Sequence, residues 1–208
     1  MTGIPRDGYT ILPPGKLANS VTWLEMRAPF PQRAPPPQPD LALEPLRGGD
    51  AARYRAVYRV LAHRWLWAGR LETPEPALAA WLDDPAAATF ALTRSGEDAG
   101  LLELDLRAAE GAELAYFGIF DPLIGRGAGA WLMQAAIREV ARRGMARLFV
   151  HTCNFDHPGA LGFYRAQGFV PYQTGFEIMD DPRHTGLLPP DAAPHVPLVG
   201  SPASRADD

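Results

Sequence analysis

Residues 120–132 read FDPLIGRGAGAWL and lie between an apolar, strand-like run and the most regular helical pattern of the chain. Gly125, Gly127 and Gly129 stand at this junction. Glycine lets the backbone approach a ligand closely, and the N–H groups and dipole at the start of a helix attract an anion such as a pyrophosphate. The glycines alone fit a turn that binds nothing equally well, so their meaning depends on the surrounding elements.

The residues on both sides of this stretch predict a meander followed by a long helix. Ala128, Leu132, Ala136 and Val140 recur every fourth residue, which indicates an amphipathic helix that ends at Gly144. Three apolar runs precede the glycines, at residues 89–93, 100–106 and 113–120. Short polar or glycine-containing stretches separate these runs, so we expect an antiparallel meander.

The remaining patterns complete an alternation of strands and helices. A strand is predicted at residues 41–46, helices near Asp50 and at 76–82, a strand at 146–152, a helix at 158–167, and strands at 169–172 and 174–179. The order is β-α-α-β-β-β-α-β-α-β-β. A meander joined to a β-α-β crossover predicts an α+β fold with a mixed sheet and helices on its faces.

Both ends of the chain differ from this central part in composition. Residues 1–39 form an arm with a proline-rich connector and an alternating segment at 21–26 that suits an edge strand. Residues 181–208 are rich in Pro, Ala and Asp, and we expect a tail that docks through Leu187, Leu188 and Leu198. The predicted globular domain is therefore residues 40–180.

Composition argues against several kinds of partner. The formal charge of −4 and the pI of about 5.7 give no basic surface for nucleic acid. No apolar run reaches the roughly 20 residues that a membrane span needs. The lone Cys153 excludes an internal disulfide and fits a reducing compartment, so we expect a cytoplasmic protein, for which a homodimer is one option.

The glycines also match a rival motif. Gly125, Gly127 and Ala130 satisfy the relaxed G-x-G-x-x-A fingerprint of dinucleotide-binding folds. That fingerprint follows the first strand of a parallel unit and precedes a ribose-binding acid by about 20 residues. Residues 147–152 contain no acid, and the preceding strands are predicted hairpins, so a dinucleotide-dependent oxidoreductase is disfavoured.

Two segments resemble the GNAT superfamily of N-acetyltransferases. AYFGIFDPLIGRGAGAWLMQAAI is similar to its strand, acyl-coenzyme A loop and helix, and ALGFYRAQGFVPY is similar to its later helix–strand element. The resemblance implies direct transfer of an acetyl group from acetyl-coenzyme A to a primary amine of a small molecule or peptide. A non-catalytic acyl-coenzyme A sensor on the same fold is the alternative, because fold does not determine function.

The resemblance also implies a set of coenzyme-binding residues. They flank and form the glycine loop: Ile119, Phe120, Ile124, Gly125, Arg126, Gly127, Ala128, Gly129 and Ala130. The pantetheine arm would run beside the strand that ends at Phe120. Ile124 departs from the family, which often has Gln or Arg at this position. An isoleucine side chain cannot bind phosphate, so the backbone N–H groups of the loop would bind it alone. His157 replaces a common Asn and either caps a helix or touches the coenzyme, and Arg165 is a candidate phosphate contact.

The catalytic and acceptor residues are predicted less directly. The resemblance assigns Tyr164 as the acid that protonates the departing thiolate, and a buried structural Tyr is the alternative. Glu103 and Glu113, on the central strands, are candidate bases unless they are merely exposed. Trp65, Trp67 and Tyr116 fall where the family shapes its acceptor pocket, or else they pack in the core.

A metal centre or a cysteine nucleophile is not expected. His151, Cys153, Asp156 and His157 are ligand types, but they lack the paired spacings of zinc sites. A Cys–His nucleophile would need an orienting third group, which the sequence does not show.

Overall fold

A seven-stranded mixed sheet forms the centre of the structure, a computed structural model that describes residues 8–31, 33–35 and 37–200. Its strands are β1 Lys16–Arg27, β2 Leu41–Pro45, β3 Ala87–Arg94, β4 Glu97–Asp105, β5 Ala112–Ile119, β6 Arg147–Cys153 and β7 Val170–Asp180. They are ordered β2-β3-β4-β5-β6-β1-β7, and only the β5–β6 pair is described as parallel. The predicted α+β architecture with a mixed sheet is confirmed.

Helices cover both faces of the sheet. They are α1 Ala51–Trp65, α2 Gly69–Glu72, α3 Glu75–Asp83, α4 Ala128–Arg142 and α5 Ala160–Gln167. On one face, the apolar side of α4 packs with Leu132, Ala136 and Val140 fully buried against the sheet. On the other face, α1 and α3 bury a second core that includes Tyr54 and Tyr58. No helix in the described ranges is long and apolar enough to cross a membrane.

The strand of the N-terminal arm lies inside the sheet. The sequence predicted an edge strand at residues 21–26, but β1 is longer and pairs with β6 on one side and β7 on the other. Leu24 is fully buried and Met26 nearly so, so one face of β1 belongs to the core. The edge-strand prediction was wrong because alternation shows which residues share a face and not which strands lie alongside.

The C-terminal segment is also held by the core. Strands predicted separately at residues 169–172 and 174–179 form one continuous β7, and the chain then turns back over α1. The backbone N–H of Ala193 donates to the carbonyl of His63 at 2.8 Å, and Leu188 and Val196 are buried. Leu198 remains 41% exposed, so only part of the predicted docking contact is present.

A buried ion pair fastens this segment. The Arg183 guanidinium lies 2.7 Å from the Asp181 carboxylate and donates to the carbonyls of Ala192 and Val196. The two paired side chains are 1% and 2% exposed. Burial would raise the pKa of Asp181, but hydrogen bonds from the side chain and backbone of Arg183 outweigh it and hold this pKa below its usual range. The ion pair therefore connects the end of β7 to the returning chain.

Replacing Arg183 with Met is expected to destabilise the fold by about 3–5 kcal/mol, because it leaves a buried carboxylate without its partner. Arg107→Met is the matched control, since Arg107 pairs with Asp105 at the same two-residue spacing but with the arginine side chain 57% exposed. That change should cost about 0–1 kcal/mol. Urea unfolding measures both, and equal losses would contradict the anchoring role of Arg183.

Candidate active site

A cleft opens where two parallel strands separate. β5 and β6 pair only at Ala112↔Leu148 and Glu113↔Phe149, after which no further pairs are described between them. The backbone N–H of Phe120 donates to the carbonyl of Ala99 in β4. Along an antiparallel strand, the backbone N–H and C=O groups of successive residues point alternately to one neighbouring strand and to the other. The backbone groups of Phe117 and Ile119 therefore face away from β4 and into the cleft. An extended ligand has a strand edge there with which to pair.

The glycine loop closes one end of this cleft. Gly125 and Gly127 have φ of +75° and +86°, in the left-handed region that favours glycine, and Gly127 is the N-cap of α4. Among the described residues, no acceptor pairs with the backbone N–H groups of Ala128, Gly129 or Ala130. Several N–H donors at the positive end of a 15-residue helix thus make an anion site.

The predicted coenzyme residues divide into two groups. Those that line the cavity of about 890 Å³ are Ile119, Ile124, Gly125, Gly127, Gly129, Ala130 and His157. Phe120, Arg126, Ala128 and Arg165 are not among its lining residues. Ala128 is fully buried in the core, and Arg165 is an exposed residue of α5.

His157 has a local structural role. Its Nδ1 accepts a hydrogen bond from the backbone N–H of Gly159 at 2.9 Å, and its ring packs edge-on against Trp65. The ring therefore stabilises the turn before α5, which begins at Ala160, two residues later than the sequence predicted. This geometry favours the capping interpretation over a coenzyme contact.

Tyr164 borders the same cavity from α5. Its side chain is 7% exposed and packs edge-on against Phe169, the aromatic residue of the adjoining Gly-Phe pair. Burial, and secondarily the charge of Asp156, raises the pKa of Tyr164 well above its usual value. The phenol therefore stays protonated at neutral pH, as a proton donor must before it acts.

Glu103 is buried and fully engaged. Its carboxylate accepts hydrogen bonds from the Tyr54 hydroxyl at 2.6 Å and from Arg70, and it is 0% exposed. Burial raises the pKa of Glu103, while Arg70 and then Tyr54 oppose the rise by donating to the ionised form. Glu103 does not line the cavity, whereas Arg70 does. The geometry thus favours a structural role, in which Glu103 holds Arg70 in the cavity wall.

Glu113 lies at the cleft beside a histidine that the sequence did not single out as a base. His151 Nδ1 is 3.7 Å from Glu113 Oε1, and the two side chains are 50% and 33% exposed. The neighbouring Glu113 carboxylate, which favours the protonated ring, is the main cause that raises the pKa of His151, and burial opposes the rise. His151 and Glu113 thus form a pair with one ring and one carboxylate at the cavity surface. The sequence did contain one signal for this pair, because His151 is an ionisable residue within the strand predicted at residues 146–152.

Cys153 and Asp156 occupy the turn after β6. Burial raises the pKa of Cys153 to about 11, so the thiol is uncharged at neutral pH and is a poor nucleophile. The Asp156 carboxylate accepts hydrogen bonds from the Trp67 indole at 3.1 Å, the Thr152 hydroxyl at 2.8 Å and the Cys153 backbone N–H at 2.9 Å. Asp156 therefore orders the turn.

Aromatic rings form the opposite wall. Trp65, Trp67 and Tyr116 all line the cavity, and the Trp67 and Tyr116 ring centroids are 5.4 Å apart. Tyr58 supports Tyr116 from below in an edge-on contact of 4.9 Å. Trp65 is 7% exposed and packs against His195 of the C-terminal segment. The predicted pocket residues thus come together, with Trp65 contributing mainly to packing.

Comparison with protein families matches residues 54–169, more than half of the chain, to the acetyltransferase (GNAT) family. No curated protein matches the sequence. The matched segment contains most of α1 and all of α2 to α5, and with them the glycine loop, Tyr164 and the aromatic wall.

Solved structures share the fold at low sequence identity. A conserved protein of unknown function from Staphylococcus epidermidis superposes with a TM-score of 0.60 at 12% identity, covering 80% of this chain and 63% of that one. A GCN5-related N-acetyltransferase from Sphaerobacter thermophilus gives 0.56 at 17%, covering 78% and 52%. An aminoglycoside acetyltransferase from an uncultured soil metagenomic sample, in complex with sisomicin, gives 0.53 at 18%, covering 62% and 88%. The chain thus spans between half and two thirds of the length of the first two.

NMR titration of His151 is expected to give a pKa above the usual value of about 6.5, and Glu113→Gln is expected to lower it. The folded protein favours the protonated ring, so the pair stabilises the fold below the unfolded-state pKa and this effect disappears as pH rises through the folded-state pKa. Glu97→Gln, outside the cavity, is the control. A His151 pKa that Glu113→Gln leaves unchanged would show that the pair does not form.

Proposed function

Because the chain belongs to the acetyltransferase (GNAT) family, we propose that it transfers an acetyl group from acetyl-coenzyme A directly to a primary amine. The observation that carries the proposal is the cleft between β5 and β6, which runs to the uncapped start of α4. Its other side is an aromatic and acidic chamber suited to an amine. A small-molecule or peptide amine is the proposed acceptor and the cytoplasm the proposed location.

The residues of the cleft fit coenzyme A. The N–H groups from Ala128 to Ala130, with glycine on both sides of the helix start, suit its pyrophosphate. The cleft-facing backbone of Phe117 and Ile119 suits the two amides of the pantetheine arm, which carry the donors and acceptors of a β-strand. When bound, acetyl-coenzyme A supplies the activated thioester carbonyl.

Proton removal from the acceptor is proposed for the Glu113–His151 pair. An amine reaches the cavity largely as its ammonium form and must lose a proton before its nitrogen attacks the carbonyl carbon. His151, with a pKa raised above 6.5 by Glu113, is matched to accept a proton near neutral pH. The pair takes this first proton and passes it to solvent; as the new C–N bond forms and the C–S bond breaks, the nitrogen loses a second proton, which balances the proton that the departing sulfur receives.

Tyr164 is the proposed acid for the other half of the exchange. Its hydroxyl makes no hydrogen bond among the described residues, and Tyr164 borders the cavity although its ring is buried. The phenol is therefore available to donate its proton to the departing thiolate sulfur. Direct attack is favoured over a covalent enzyme intermediate, since the neighbouring Cys153 thiol is held neutral.

The geometry argues against the oxidoreductase alternative. The glycines follow β5, the third strand of an antiparallel meander with β3 and β4, and not the first strand of a parallel unit. A non-catalytic acyl-coenzyme A sensor would bind coenzyme equally well. It would not require Tyr164, Glu113 and His151 around one cavity, so turnover with a panel of amines distinguishes the two functions.

Replacing Gly127 with Val is expected to weaken coenzyme A binding at least about tenfold, because valine is strained at φ +86° and displaces the N–H donors. Gly144→Val is the matched control, since Gly144 has φ +71° after the far end of α4 and does not line the cavity. Calorimetry with coenzyme A measures both. Undiminished affinity in a folded Gly127→Val protein would move the site elsewhere.

Tyr164→Phe is expected to keep the fold and coenzyme affinity but to slow transfer by about 10²–10⁴-fold, because it removes only the proposed donor. Tyr172→Phe, on the exposed side of β7, is the control. Thiol release is measured at saturating coenzyme with an amine found in an acceptor screen, under conditions where chemistry limits the rate. Unchanged turnover in Tyr164→Phe would remove Tyr164 from the mechanism.

A further inference from the structure

One face of the sheet carries polar groups beyond the proposed catalytic pair. The register pairs Trp23 of β1 with His151 of β6, and Asn19 of β1 with Glu177 of β7. Residues an even number apart on a strand share a face, so His151, Asn19 and Glu177 project to the same side. All three line the cavity, although Asn19 and Glu177 lie outside the segment matched to the family.

Asn19 is an unusual residue for this position. It is 4% exposed, and its Nδ2 donates to Glu177 Oε2 at 2.9 Å. This bond assigns the amide orientation, because only the nitrogen can donate to a carboxylate. Asn19 Oδ1 is then a buried acceptor without a hydrogen-bond partner among the described residues. Such a group is costly to bury unless a donor reaches it.

The charges of the cavity favour a cation with more than one positive group. Its lining includes four carboxylates, Asp105, Glu113, Asp156 and Glu177, and one guanidinium, Arg70. Arg70 is paired with the buried Glu103, Asp105 with Arg107, and Asp156 with hydrogen-bond donors of its own turn. Among the described residues, Glu113 and Glu177 are left as the two lining carboxylates that neither pair with a guanidinium nor accept hydrogen bonds from their own turn.

We propose that Glu177, oriented by Asn19, forms a second cation subsite, and that the acceptor is a long, flexible diamine or polyamine. One amino group reacts at Glu113 and His151 while a second, as an ammonium, binds at Glu177 and Asn19. The aromatic rings of Trp67 and Tyr116 suit the apolar chain between them and attract positive charge. The inference rests on the proposed acetyl transfer and adds the class of acceptor.

The sheet geometry sets the length of this acceptor. His151 pairs with Trp23 and Glu177 pairs with Asn19, and these two partners are four residues, or about 13 Å, apart along β1. Because β1 lies between β6 and β7, His151 and Glu177 are also two strand spacings, or about 10 Å, apart across the sheet. The Cα atoms of His151 and Glu177 are therefore roughly 16 Å apart on one face of the sheet. A four-carbon diamine is too short to connect groups with this spacing, whereas an eight-carbon diamine comes within reach once the lengths of the two side chains are included.

A cross-strand pair that only stabilises the sheet is the competing explanation for Asn19 and Glu177. Glu177→Gln separates the two, because glutamine keeps an oxygen to accept from Asn19 but loses the negative charge. A stabilising pair predicts a change in thermal unfolding and no change in acceptor preference. A cation subsite predicts the reverse.

The test compares diaminooctane, diaminobutane and octylamine as acceptors in a thiol-release assay with acetyl-coenzyme A at fixed ionic strength. The wild type is expected to have the lowest KM for diaminooctane. Glu177→Gln is expected to raise that KM about threefold to fivefold and to leave the KM for octylamine unchanged. Glu97→Gln, an exposed acid outside the cavity, controls for net charge.

Each other result overturns a definite part of the inference. Equal KM values for diaminooctane and octylamine, or equal effects of Glu177→Gln on both, would eliminate the subsite while leaving acetyl transfer intact. Coenzyme binding without transfer to any diamine would eliminate the acceptor class. Failure to bind coenzyme A at all in calorimetry would instead overturn the proposed function.

Discussion

The separation of β5 from β6 after two residue pairs is the feature on which the rest of the site depends. Each strand is held on its outer side by a full antiparallel ladder, β5 by β4 and β6 by β1. The inner edges are therefore free without loss of the sheet. A register shift between Glu103 and Leu104 bends the β4–β5 ladder near the point of separation, as bulges do. The glycine loop follows β5 directly at this gap. Because β6 does not pair with this part of β5, the backbone groups of Phe117 and Ile119 are available to a ligand.

The aromatic wall of the cavity depends on a different constraint, the need to satisfy a buried carboxylate. Glu103 is 0% exposed within an apolar strand, and only Arg70 and Tyr54 make its burial tolerable. Arg70 is thereby held over the rings of Trp81 and Tyr116, at 4.4 and 5.7 Å from their centroids. Its neighbour Gly69 approaches closely enough that a Cβ would lie 2.9 Å from the Tyr116 hydroxyl. The buried pair thus positions α2 and the aromatic wall together.

Local patterns predicted what depends on neighbours in sequence. The meander, the amphipathic α4 and the glycine junction follow from periodicity and glycine placement, and the family resemblance and mixed sheet are confirmed. The interior position of β1 and the partner of Glu103 depend on contacts between residues far apart in the chain, which periodicity does not encode. His151 was noticed as a possible ligand type, but its role beside Glu113 arises only when β5 and β6 lie in parallel. The roles of Tyr164, Glu113 and the coenzyme residues stay predictions.

The cavity is built both from the segment matched to the family and from the two terminal parts of the chain. The segment matched to the family, residues 54–169, contains the glycine loop, Tyr164 and the His151–Glu113 pair, to which we assign coenzyme binding and proton transfer as a proposal. Asn19 and Glu177 come from β1 and β7, and Trp65 packs against His195 of the returning chain. Both ends of the chain therefore contribute to the walls of the cavity or to their support. If the glycine loop binds phosphate through backbone groups, as proposed, it cannot discriminate between amines, so the proposed selection falls to side chains that line the cavity, and β1 and β7 supply Asn19 and Glu177.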